Sequence, residues 1–71
     1  MSSNNQVVIL KKEGKYEIHH HLCVDNDFEP SEDSLLRKED SLVEAIKYAQ
    51  KFCNKYPYVE YGYSILNQEI N

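Results

Sequence analysis

Residues 40 to 56 read as one complete amphipathic helix, and that element dictates how the rest of a 71-residue chain can be arranged. Ser41 and Glu44 make an S-x-x-E capping box, in which the serine hydroxyl serves a free backbone N–H and the glutamate reaches back to the cap. The helix is therefore predicted over about 41–55. Leu42, Ala45, Ile46, Ala49, Phe52, Cys53 and Tyr56 recur at the spacing that gathers them on one stripe. A stripe this wide needs a sheet to cover.

The segments on either side supply strands. Gln6 to Lys12 is β-branched and apolar, Glu13-Gly14 is a turn signal, and Lys15 to Val24 alternates, which together describe a β-hairpin. With a two-residue loop, Lys12 faces Lys15, Lys11 faces Tyr16, Ile9 faces Ile18 and Val7 faces His20. That register puts Val7, Ile9, Tyr16, Ile18, His20, Leu22 and Val24 towards the helix, with Val8, Leu10, Glu17, His19, His21 and Cys23 on the other face. Beyond the helix, Tyr56-Pro57 breaks the α conformation. Val59, Tyr61, Tyr63 and Ile65 then alternate with smaller or polar residues as a strand over about 58–66.

The expected fold class is therefore α+β: a single β-β-α-β domain, with strands at about 6–12, 15–24 and 58–66. They form a three-stranded antiparallel sheet of order 2-1-3 with the helix packed on one face. Residues 1–5 and 67–71 are expected to be tails. Residues 25–40 are rich in Asp, Glu and Ser and read as an acidic loop, which Phe28, Leu35 and Leu36 pin to the body. The two leucines fall in a short turn or strand before the helix cap.

Length and charge bound the function. A single small domain removes only about 60 % of its unfolded surface from water, so chains of this size often lean on a partner, a metal or disulfides. Two cysteines, Cys23 and Cys53, outside any C-x-x-C arrangement, argue against a disulfide framework and for a reduced, cytoplasmic setting. The longest apolar run, Val7 to Leu10, is far short of the ~20 residues that cross a bilayer. A net charge of −4 disfavours general binding to nucleic acid and points to protein partners.

Four constellations carry candidate chemistry. His19 and His21 share a strand face about 6.6 Å apart, a span over which both imidazoles reach one ion, so they are the candidate metal ligands and zinc the candidate metal; no other cofactor is implied. The competing reading makes them ordinary polar residues of a sheet surface. Asp25, Asp27, Glu29, Glu32 and Asp33 form an acidic surface. They are not an EF-hand, since Pro30 stands where the invariant glycine belongs and Leu36 where the bidentate glutamate belongs. Lys47, Lys51 and Lys55 make a short basic stripe on the outer side of the helix, diluted by Glu44 at i, i+3 of Lys47. Val8, Leu10 and Tyr58 form an apolar patch on the face away from the helix, the expected interface of a homodimer.

No nucleophile–base pair has sequence context and no glycine-rich phosphate loop exists, so no enzymatic activity is expected. The reading is a small non-enzymatic protein-binding module, homodimeric through its open sheet face or an edge strand. Two alternatives stand beside it: an inhibitor encoded by a phage or mobile element, using its acidic surface to mimic nucleic acid, and a metal-stabilised protein using His19 and His21.

Overall fold

The computed structural model describes residues 5–22, 28, 30–57, 59 and 62–70, without the side chains of 67–70. It is a small α+β domain: a four-stranded mixed sheet with one helix across one face.

Gln6–Lys12 (β1) and Lys15–His21 (β2) form the hairpin in the expected register, with Lys12 opposite Lys15, Ile9 opposite Ile18 and Val7 opposite His20. Both loop residues have positive φ, 53° at Glu13 and 81° at Gly14. These are the angles of a type I′ turn, whose twist matches that of the strands it joins. β2 ends at His21 rather than at residue 24, and Leu22 just beyond it is 69 % exposed instead of facing the helix. Cys23 and Val24 lie outside the described residues.

The long connection holds an additional strand. Leu35–Glu39 (β3) pairs antiparallel with β2, placing Arg37 opposite Ile18 and Leu35 opposite His19. Leu36 is the extra residue of a bulge, and the bulge conceals the strand in the sequence. Because of it Leu36 and Arg37 both turn to the helix side, Leu36 into the core and Arg37 over Tyr48. The period of two is lost at that step.

Leu42–Lys55 (α1) begins at the expected cap. Ser41 is extended, and its hydroxyl accepts from the Glu44 N–H at 3.2 Å. Only half of the capping box forms, because the Glu44 carboxylate turns to Lys47, 3.7 Å away. The whole predicted stripe packs on the sheet: Ala45 and Ala49 are buried, and Leu42, Ile46, Phe52, Cys53 and Tyr56 are partly buried around Val7, Ile9 and Ile18.

After Tyr56 the chain makes a turn, closed by the Val59 N–H on Tyr56 O at 3.0 Å, that drops Val59 into the core. The final strand, Tyr63–Ile70 (β4), starts later and ends later than the expected 58–66. Gly62, at φ 66°, sets its start, a conformation a β-branched or bulky residue rarely adopts. β4 lies beside β1, as expected, but parallel to it, so the sheet is not all antiparallel and its order is β3-β2-β1-β4. β3 is the reason. Each antiparallel pairing reverses the chain, and a third strand, where a short turn or strand was expected and left out of the sheet, sends the chain into α1 from the opposite end, so the strand after the helix emerges in the direction of β1.

β1 is an interior strand, and its four apolar residues, Val7 to Leu10, are all buried within one chain. Asn5, assigned to a tail, is buried as well.

Candidate functional site

Two places gather functional side chains. The first lies on the sheet face away from the helix, at His19. Register puts Glu17 and His19 on that face of β2, and the turn formed by residues 31–34 brings Ser34 to the other side of the imidazole. His19, at 1 % exposure, holds Nε2 2.9 Å from Glu17 Oε1 and Nδ1 2.7 Å from Ser34 Oγ. Phe28 lies edge-on to its ring at 5.6 Å and tilts against His21 at 5.3 Å. Glu17 has a second, weaker partner in Lys38 at 3.7 Å.

Proton counting defines what this array does. Nε2–H donates to the Glu17 carboxylate. Ser34 has one hydroxyl proton and two acceptors, His19 Nδ1 and Ser31 O, the latter at 3.1 Å. With a neutral imidazole the hydroxyl donates to Nδ1; with an imidazolium Nδ1–H donates to the hydroxyl, which then closes on Ser31 O. Serine, histidine and glutamate follow here the order of nucleophile, base and orienting acid. Yet Ser34 Oγ also accepts the Ser31 N–H at 3.3 Å, so it is folded into its own turn and ties that turn to the sheet.

The residues singled out from sequence fall as follows. His19 and His21 do share a face, but both ring nitrogens of His19 are occupied, and zinc would have to displace Glu17 or Ser34 to reach it. Among the described residues no group of three or more His, Cys, Asp or Glu side chains is placed to hold an ion. His20 points to the helix as expected, its ring 5.6 Å from that of Phe52. Burial, and secondarily the neighbouring His21, hold its pKa below 6.5. Burial likewise raises the Cys53 thiol above its usual value. Of the acidic surface, Glu32 and Asp33 are exposed beside the 32–34 turn, while Asp25, Asp27 and Glu29 lie outside the described residues. Val8 is 4 % and Leu10 0 % exposed in the single chain, so the open apolar patch expected from them is not present there; Tyr58 lies outside the described residues.

The second place is a groove of about 590 Å³ between β3 and α1. Arg37 and Glu39 line it from the strand, and Lys47, Tyr48, Lys51 and Asn54 from the helix. The Arg37 Nε donates to the Glu39 carboxylate, and the guanidinium sits over the Tyr48 ring, 5.6 Å from its centroid. That fixes the arginine fork within the range of a cation–π contact. Lys47 is held by Glu44, and Lys51 has no acidic partner among the described residues. Among the described residues β3 is a terminal strand of the sheet, and Arg37 and Glu39 of the groove belong to it.

No protein-family model, curated protein or solved structure matches this chain.

Sequence reasoning found His19 and the helix lysines but missed Ser34 and the pairing of Arg37 with Tyr48. For Ser34 the available signal was the Ser31-x-x-Ser34 spacing, which favours a side chain bonding back to its own turn. Nothing local links Arg37 to Tyr48, because the helix cap stands between them and only the pairing of β3 brings them together.

Proposed function

We propose that the chain is a small non-enzymatic protein-binding module that accepts an extended segment of its partner along β3, in the groove against α1. The observation that carries this reading is the adjacency of a sheet-edge strand and a helix-walled groove. A terminal strand offers a row of backbone N–H and C=O groups to an incoming strand, and a neighbouring groove receives its alternate side chains. The other terminal strand, β4, leaves Ile65 and Leu66 exposed; both terminal strands carry one irregularity, and what favours β3 is the groove beside it.

Among the described residues, no helix is long and apolar enough to cross a membrane, and the acidic balance of the chain favours a protein over a nucleic-acid partner. Selection of peptides from a random displayed library on the immobilised protein tests the reading. Enriched sequences should shift the backbone amide resonances of Leu35 to Glu39 and the ring signals of Tyr48. Selected peptides that perturb a different face, or a library that yields no binder, would overturn it.

A further inference from the structure

Resting on that reading, we propose that the segment taken up beside β3 is acidic, with its carboxylates received by Arg37 and Lys51. Three cations line the groove, Arg37, Lys47 and Lys51, in a chain whose net charge is −4. The two acids of the groove are already engaged, Glu39 by the Arg37 Nε and Glu44 by Lys47. What remains is the outer part of the Arg37 guanidinium, the Lys51 ammonium, and the amide of Asn54.

The arginine is held ready. Its Nε bond to Glu39 and its seat over Tyr48 restrict the side chain before any ligand arrives, so little rotamer freedom is lost on binding. A planar fork in a fixed position suits the bidentate geometry of a carboxylate. The same charges select the partner. Arg37 and Lys38 on a terminal strand oppose the approach of a basic strand, and an apolar one would bury the outer part of the Arg37 guanidinium without a partner. An acidic strand removes that penalty and gains two ion pairs.

Three eight-residue peptides, alternating valine with glutamate, glutamine or lysine, test this by titration into the intact protein, followed by backbone amide resonances. The glutamate peptide should perturb Leu35 to Glu39 and bind at least tenfold more tightly than the glutamine peptide, an advantage that shrinks in high salt. Lys51→Gln, on an exposed helix position, should reduce that advantage severalfold, and Arg37→Gln should reduce it further. Equal binding of the glutamate and glutamine peptides at β3 would overturn the charge preference and leave the docking groove intact. Binding of library-selected peptides at β3 with none by the glutamate peptide would do the same. Perturbation confined to another face by every peptide would overturn both.

Discussion

Replacing Ser34 by alanine isolates the contribution of the His19 array. The hydroxyl lies 2.7 Å from Nδ1 of an imidazole that is 1 % exposed, and its loss removes the donor that serves this buried nitrogen. Stranding a buried polar group costs about 1–3 kcal/mol. The Ser31 N–H, 3.3 Å from the same oxygen, loses its acceptor at the same time. A chain of this length has roughly 4–11 kcal/mol of stability in total, so the change removes a sizeable share. Urea unfolding followed by circular dichroism should show the midpoint falling by about 1 M or more, since small domains have slopes of about 1 kcal/mol/M at the lower end. Ser31→Ala is the control, because its hydroxyl makes only a 3.5 Å contact with Ser34 Oγ. In a His19→Leu background the Ser34→Ala change should cost clearly less than in the native chain, because the nitrogen it served is gone and only its turn contacts with Ser31 remain. An unchanged midpoint for Ser34→Ala in the otherwise native chain, or the same loss in the leucine background, would refute the account.

Three further outcomes follow from other parts of the molecule. Ser41→Ala should cost about 0.5–2 kcal/mol while Glu44→Ala costs a few tenths, because only the serine half of the capping box forms; equal losses in denaturant melts would contradict that. Leu10→Glu places a charge at a position with no exposure and should unfold the chain rather than change its association state, which far-ultraviolet circular dichroism together with sedimentation would reveal; a folded variant would show that the strand is not covered. For His20, the native state favours the neutral ring because its pKa lies below 6.5, so the native chain binds fewer protons than the unfolded one. Its contribution to stability is complete above pH 6.5 and declines as the pH falls through that value towards the folded pKa. Urea midpoints at descending pH should fall less steeply for His20→Gln than for the native chain, and parallel slopes would count against this assignment.

The elements that packing alone determines were legible in the sequence. The helix stripe, its serine cap and the hairpin register are set by residues within a few positions of one another, and each was found where the pattern placed it. What escaped depended on partners distant in the chain. β3 contributes Leu35 to one face and Leu36 to the other, and the bulge then turns Arg37 back beside Leu36, so no alternation survives. The parallel pairing of β4 could not be read without β3 in the sheet, because one strand more inverts the direction of everything after it. The apolar character of Val8 and Leu10 was read as a demand for cover, and both are buried within the single chain. His19 drew attention as one of three consecutive histidines, whereas its meaning lies in Ser34, fifteen residues on.

The place of β1 at the centre of the sheet has a consequence during synthesis. The hairpin and β3 can assemble as soon as residue 39 is available, but one side of β1 stays open until β4 emerges. For that interval the most apolar strand of the chain is an edge, with the backbone of Val7 to Leu10 able to pair with any other nascent strand. A ribosome that stalls or stops between the helix and residue 63 would therefore release a species that keeps a helix cap, a hairpin and much of a core, yet is prone to aggregate. Pairing with the eight-residue β4 is what closes that edge among the described strands.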